Sequence, residues 1–489
     1  MNVAGVPPSL IAVDWYALGA VIALSVGAMV MLMLEFLPTK SWTTRGAVVS
    51  LVSLAAAAWS VWSVRDAKRS LFEGMFVHDP FTVFFTLLFC AIAAIAVLLS
   101  WDYVRRTKID HGEYYALLLC ATLGMIVMAA SNDLITIFLG LELMSLALYV
   151  LVGFRRTRLE SNEAALKYFL LGAFASAFLL YGIALLYGAT GTTNLTRMAG
   201  FLADSPLLSN PLLVVGSLLV LVGLGFKVAA VPFHMWTPDA YEGAPTTVTG
   251  FMSAGAKAAG FAALLRVAQL ALPDLQADWR PLLTWIAILT MTVGNVAALL
   301  QNNLKRMLAY SSIAHAGYVL VAIIAGGPDG GSAAMFYLAV YSLMNLGAFG
   351  ILALLGRGAE ERVLVSDLAG FGFRHPLLGL AMAVFMLSLG GIPPTAGFMG
   401  KVYVFSAAVK AGLIPLAIVG MLNSVISVFY YLRVTVAMYM QEPQGDPVHV
   451  SWAMPATIGV VVTLVLTLWF GVQANALWAQ AQRSMLGLM

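Results

Sequence analysis

The sequence predicts an all-α, polytopic membrane protein of about fourteen transmembrane helices, and three observations lead there. Of 489 residues, 61% are hydrophobic and only 10% are Asp, Glu, Lys or Arg, against about 25% charged in ordinary globular proteins. Mean hydropathy is +0.92 along the whole chain, so too few polar residues exist to cover a globule in water and lipid must do most of the covering. The apolar runs are continuous rather than alternating and about twice as long as a barrel strand, which selects helices over a β-barrel.

In order, the runs that can cross a hydrocarbon core of about 30 Å are Trp15 to Leu37, Ala47 to Val64, Phe81 to Leu99, Tyr115 to Ala130, Leu134 to Val152, Leu166 to Tyr187 and Leu212 to Val231. The second seven are Thr247 to Leu265, Leu282 to Leu300, Met307 to Ala325, Ala333 to Leu355, Leu377 to Val409, Ile414 to Leu432 and Trp452 to Phe470. Residues 1–14 hold no Lys or Arg and no small-residue cleavage pattern, so the first run is expected to be a retained span rather than a signal peptide. The longest polar connections, Arg65 to Asp79 and Gly356 to His375, are too short to fold alone, so water-soluble catalytic chemistry is expected in a partner.

Loops after odd-numbered spans carry Lys40, Arg45, Arg105, Arg106, Lys108, Arg155, Arg156, Arg158, Lys305, Arg306, Arg357, Arg362, Arg374 and Arg433. Those 14 face only 8 basic residues in the even loops and termini, which puts both termini on the periplasmic side by the positive-inside rule. The loop holding Arg65, Lys68 and Arg69 runs against the bias.

The remaining basic residues, Lys167, Lys227, Lys257 and Lys401, fall in or against apolar stretches. A lysine at mid-span costs about 2.5 to 3.5 kcal/mol on insertion scales, so something must offset it. Glu142 lies about eight residues into its span and Lys257 ten residues after Thr247. At 1.5 Å per residue that is roughly 12 Å and 15 Å deep, near the middle of the membrane. Lys227 precedes Pro232, and Lys401 follows a stretch containing Gly390, Gly391, Pro393, Pro394, Gly397 and Gly400. Proline lacks the N–H a continuous helix needs, so spans seven and twelve are expected to be discontinuous.

Those two spans are five apart, and a repeat of an odd number of spans re-enters the membrane inverted. Two inverted five-helix repeats follow, helices 4–8 and 9–13, with Lys227 set against Lys401 and Glu142 against His315 by helix count. The corresponding segments are 1–110, with spans one to three; 111–271, the first repeat; 272–440, the second; and 441–489, with span fourteen.

Each of these residues also has a blander reading. A lysine near a helix end can snorkel to the headgroups, Glu142 can be a structural ion-pair partner, and His315 and His234 can be packing histidines. Depth makes snorkelling poor for Lys257 and Glu142. Protons are the cargo that fits best, because burial and a nearby carboxylate shift the affinity of an amine for its proton in opposite directions. A sodium site would want several oxygens in one place. Glu163 and Lys167 stand four apart, in the favourable order for a helical ion pair, and suit either a solvated helix end or a contact to a neighbouring subunit.

Nothing in the chain supplies energy. Gly400-Lys401 lacks the first glycine and the Ser or Thr of a phosphate loop, and no glycine-rich dinucleotide fingerprint or facing histidine pair for haem occurs. Cys90 and Cys120 are the two cysteines, both in apolar runs, which argues against disulfide frameworks, thiolate clusters and four-cysteine zinc sites. A net charge of +3 is too small for a nucleic-acid footprint. No cofactor or metal is expected in this chain.

The segment FKVAAVPFHMWTPDAYEGAPTTVTGFMSAGAKAAGFAALLR, Phe226 to Arg266, resembles the proton-translocating core of the antiporter-like subunits of respiratory complex I and of multisubunit cation/proton antiporters. The VPFH-W-PDAYEGAP order and GIPPTAGFMGK, Gly391 to Lys401, look most like the NADH-quinone oxidoreductase subunit N family; the related subunit M family has a glutamate where Lys401 stands. That resemblance implies an ion pair of Glu142 with Lys227, a central relay lysine in Lys257, a far half-channel lysine in Lys401, and a junction role for Glu163 and Lys167; His315 matches less closely. It also implies that FMN, iron–sulfur clusters and the quinone site belong to other subunits, with subunit M and small membrane subunits as partners in a bacterial inner membrane. The competing readings are a subunit of a sodium/proton antiporter or membrane-bound hydrogenase, and a scaffold that transports nothing.

Overall fold

The computed structural model describes residues 14–36, 41–204, 210–271, 276–356, 361–443 and 448–488. Lys40 and Arg357 of the loop-charge count, and residues 1–13 of the N-terminal reading, lie outside them. Twelve helices among the described residues are long and apolar enough to cross a membrane, and two shorter apolar ones complete fourteen spans. Spans one to six are α1 (Gly19–Leu34), α2 (Thr43–Ser63), α3 (Pro80–Arg106), α4 (Gly112–Ala130), α5 (Leu134–Val152) and α6 (Leu159–Thr190). A short amphipathic helix, α7 (Leu195–Asp204), intervenes before span seven, which is split into α8 (Pro211–Val228) and α9 (Trp236–Gly243). Spans eight to eleven are α10 (Thr246–Arg266), α11 (Gln276–Leu299), α12 (Leu304–Ala325) and α13 (Gly327–Leu354). After one turn, α14 (Phe371–Arg374), span twelve is split into α15 (Pro376–Gly390) and α16 (Ala396–Lys410). Spans thirteen and fourteen are α17 (Ile414–Met440) and α18 (Met454–Val472), and α19 (Ala474–Leu488) closes the chain.

Local chemistry sets the helix ends. Asp79, Asp133, Asn210 and Asn303 accept hydrogen bonds from the first free N–H groups of α3, α5, α8 and α12, satisfying donors that have no partner inside the helix. Proline stands in the first turn of α3, α8, α15, α17 and α18, where its missing N–H costs nothing. Both interrupted spans end their first half with a left-handed residue, Ala229 at φ 61 and Gly391 at φ 84. Pro232 lies in the first break and Pro393 and Pro394 in the second.

The spans pack through small residues, as helices do when lipid offers no hydrophobic drive for association. On α4 and α5, Gly124 and Gly140 lie back to back, and a Cβ on Gly124 would come within 2.5 Å of the Met144 backbone nitrogen. Every residue of α10 is buried, as is α13 beyond its first turn, whereas most residues of α18 and α6 are not. The core therefore surrounds α10, the helix bearing Lys257.

Four features depart from the sequence reading. A two-stranded antiparallel hairpin, β1 (Arg69–Leu71) with β2 (Phe76–His78), occupies the second loop. Helix α6 begins at Leu159 rather than Leu166, since the polar run LESNEA is helical although not apolar. Helices α7 and α19 went unseen because both are amphipathic; α19 means that 441–489 holds two helices, not one. Finally, Lys227 and Lys401 do not occupy matching places: Lys227 precedes its break, on α8, and Lys401 follows its break, on α16.

One local device occurs twice. The residue capping α5, Asp133, is bridged to Asn194 beyond α6, and the residue capping α12, Asn303, is bridged to Leu364 beyond α13. Counted from these caps, Glu142 falls level with Ser312, and His315 level with Ser145. Helix count alone paired Glu142 with His315; this register moves the match by one helical turn.

Candidate functional site

Lys227 is 2% exposed and donates to Ser145 Oγ on α5 at 2.7 Å and to the Tyr168 hydroxyl on α6 at 3.2 Å. Its ammonium also lies 5.3 Å from the Tyr168 ring centroid, a cation–π distance. Glu142 accepts from the Ser176 hydroxyl. No direct salt bridge joins Glu142 to Lys227 among the described residues; a narrow cavity lined by Ser145, Tyr149, Ser176 and Lys227 lies between α5, α6 and α8.

Lys257, also 2% exposed, reaches from α10 to α12, where the Ser312 hydroxyl accepts at 2.7 Å and the Ser312 carbonyl at 2.5 Å. One turn on, His315 is held at both ring nitrogens: Nδ1 lies 2.8 Å from the Tyr337 hydroxyl and Nε2 3.0 Å from that of Tyr431. A hydroxyl donates or accepts, so either neutral tautomer is satisfied. Tyr431 also bonds Ser311, and the Tyr341 ring lies 5.0 Å from the imidazole.

Lys401 fills all three donor positions: Gly390 O at 2.8 Å, Leu389 O at 3.2 Å and Ser424 Oγ at 2.8 Å. Two of these are the last carbonyls of α15, which lack helical partners and carry the negative end of the helix dipole. The second break thus builds the seat for its own lysine. Tyr318 presents its ring 5.2 Å from that ammonium and its hydroxyl to the Asn295 amide at 3.3 Å.

Polar side chains also line α10 on the approach to Lys257. Thr246, Thr249, Ser253 and Lys257 recur at helical spacing, and Asn345 donates to Ser253 at 2.7 Å and to Tyr341 at 2.8 Å. At the outer end of this stripe, Thr246 donates at 2.8 Å to Glu361, from the connection after α13. Glu361 also accepts from Tyr103 and pairs with Arg155 at 3.2 Å and Lys305 at 3.7 Å. Burial pushes this carboxyl up, but Lys305, Arg155 and two hydroxyl donors pull it down to about 2. It is therefore a fixed anion at neutral pH.

Glu163 and Lys167 lie apart from these buried groups. Lys167 bonds Glu163 at 2.7 Å and Asp239 at 2.9 Å, on a surface cleft also lined by Glu160, Glu242 and Arg306.

Sequence reasoning named the amines, the acid and the imidazole. It missed the hydroxyls and carbonyls that hold them, namely Ser145, Tyr168, Ser176, Ser312, Tyr337, Tyr431 and Ser424, together with Glu361. Serine and tyrosine are too common in apolar runs to stand out; the polar stripe Thr246, Thr249, Ser253, Lys257 was legible as a helical period. As a chemical device the arrangement offers amines and an imidazole in an apolar interior, each held by groups able to donate or accept a proton.

Residues 131–427 match the family model described as NADH:quinone oxidoreductase/Mrp antiporter, transmembrane. The chain is 50% identical over 466 residues to NADH-quinone oxidoreductase subunit N of Trichlorobacter lovleyi, covering 95% of each chain. Among solved structures it resembles a chain of respiratory complex I from Thermus thermophilus with bound Aureothin, at 38% identity and TM-score 0.81, covering 94% of this chain and 98% of that one. It also shares the fold of a chain in the Mrp complex from Dietzia sp. DQ12-45-1b, at 22% identity and TM-score 0.86, covering 97% and 98%. A family match across the interrupted spans and the buried lysines, and close relatives over nearly the whole length, lead to one conclusion: the chain belongs to the antiporter-like membrane subunits of NADH-quinone oxidoreductase, in the subunit N family.

Proposed function

We propose that this chain moves protons across a bacterial inner membrane as subunit N of a NADH-quinone oxidoreductase. Glu142, Lys227, Lys257, His315 and Lys401 serve as the relay. The observation that supports this most is the lodging of three lysines and a histidine inside the bundle, each bonded to a side chain on a neighbouring helix. Amines buried without function are expensive, and here each has acceptors suited to its charged form.

On this reading Glu142 acts on Lys227 through the Ser176 and Ser145 hydroxyls, which line the cavity at Lys227. Proton release from Lys227 then follows the loss of that negative charge. Lys257, held by Ser312, and His315, one turn further along α12, are the central stations, and Lys401 is the far one. The two half-spans and the repeated cap device support an inverted pair, helices 4–8 with 9–13, giving the two halves opposite access. The basic loops support a cytoplasmic side for the Glu361 end and a periplasmic one for both termini.

FMN, iron–sulfur clusters and quinone are assigned to partner subunits, as is the redox energy; subunit M and the small membrane subunits are the expected neighbours. Replacing Lys227 or Lys257 by alanine in the assembled complex tests the reading. Redox-driven proton uptake should fall sharply with each; uptake at the native rate in both would refute it.

A further inference from the structure

The short half-helix α9 has an ionic end and an aromatic end. At the ionic end Asp239 bridges two cations from different helices, Lys167 of α6 at 2.9 Å and Arg306 of α12 at 2.8 Å, and Glu242 one turn on also holds Arg306, at 2.7 Å. At the other end the Trp236 indole N–H donates to the Phe226 carbonyl at 2.9 Å, the residue beside Lys227. The Trp236 ring stacks on Tyr168 at 4.4 Å between centroids, 11° from parallel, and the Tyr168 hydroxyl accepts from Lys227. Lys167 and Tyr168 are consecutive in the chain. One faces Asp239 and the other Lys227, so any shift of α9 against α6 moves both ends together.

The two ionic clusters at this face differ in the cost of rearrangement. Glu361, Arg155 and Lys305 are 9%, 5% and 2% exposed, so parting them leaves a buried charge, whereas Asp239, Arg306 and Lys167 are 30%, 31% and 46% exposed. Partly exposed pairs are worth little and exchange partners readily; deeply buried ones do not. The first cluster is an anchor and the second is free to switch. With Ala229 to Met235 non-helical, α9 is joined to α8 by a connection able to bend.

We propose that Asp239 is the positioning residue that carries a change at the Glu163–Lys167 pair to the Lys227 amine, by clamping α9 between Lys167 and Arg306. This rests on the proton-relay reading above and adds the part that connects its surface pair to its first buried lysine. When a neighbouring charge draws Lys167 away, Asp239 retains Arg306 alone, α9 shifts, and the Trp236–Tyr168 stack moves the hydroxyl to which Lys227 donates a hydrogen bond.

The test uses the assembled complex in membrane vesicles, with NADH-driven proton uptake followed by a pH-sensitive dye. D239N should slow uptake about fivefold, within the range expected for a residue along a coupling path. D239E, which keeps the charge, should restore most of it. D239N combined with Lys167→Ala should be no slower than either alone, because both break one link. Amide exchange along 236–246 should speed up in D239N, with exchange at α10 unchanged.

Uptake at the native rate in D239N, or additive losses in the double variant, would overturn the proposal. Should D239N not assemble, Arg306→Gln reads the other side of the same carboxylate, and native uptake there overturns it equally. Lys227→Ala separates the two levels. If it abolishes uptake while D239N runs at the native rate, only the Asp239 proposal fails; if Lys227→Ala is itself silent, the relay reading fails.

Discussion

Replacing Glu361 by glutamine removes the anion that balances Lys305 and Arg155 while keeping the shape of the side chain. Lowering a carboxyl from its ordinary 4.5 to about 2 corresponds to about 3 kcal/mol of preference for the charged form in the fold. Removing one member of a buried pair costs about 3–5 kcal/mol in other proteins, so the two routes agree on roughly 3 kcal/mol. Because the carboxyl is held down by its neighbours after burial has raised it, its stabilisation is complete above pH 4.5 and lost as pH falls towards 2. The assay is thermal release of this chain from the purified complex. E361Q should be released at lower temperature at pH 7, and the gap should narrow only below pH 4.5. Adding Lys305→Met, which removes the 2%-exposed amine facing the lost charge, should recover part of the deficit. A native melting temperature in E361Q, or a double variant worse than the sum of its parts, would refute the reasoning.

Tyr337→Phe and Tyr431→Phe each strip one partner from His315, leaving a buried ring nitrogen unsatisfied at about 1–3 kcal/mol; stability and uptake should both fall, and equal behaviour to native in both variants would remove His315 from the relay. Gly124→Val should destabilise by about 1–3 kcal/mol through overpacking, since a Cβ there already meets the α5 backbone, and the yield of folded chain in detergent reads it. Arg266 is 1% exposed, with a guanidinium nitrogen bonded to both Asp79 oxygens, at 3.0 and 2.9 Å, and Nε bonded to Ala129 O. Lysine lacks the planar fork, so Arg266→Lys should lower the melting temperature, and an unchanged one would show that charge alone suffices.

The fourteen spans, the two interruptions with Lys227 and Lys401 beside them, and the midspan positions of Glu142 and Lys257 were all legible in the sequence. Hydropathy, proline and chain rise are local properties, and lipid leaves the backbone few alternatives to a helix. The amphipathic α7 and α19 escaped because their burial depends on what they lie against. Partners were decided by the tertiary structure alone. Nothing in the order of residues tells that Ser312 receives Lys257, that the carbonyls ending α15 receive Lys401, or that Lys227 meets Ser145 and Tyr168 while Glu142 meets Ser176. Nor does it tell that Glu361, in a polar connection, anchors Arg155, Lys305, Tyr103 and Thr246. Each of these contacts joins residues far apart in the chain, and its geometry is set by how neighbouring helices pack, at a precision of fractions of an ångström that composition and periodicity do not hold.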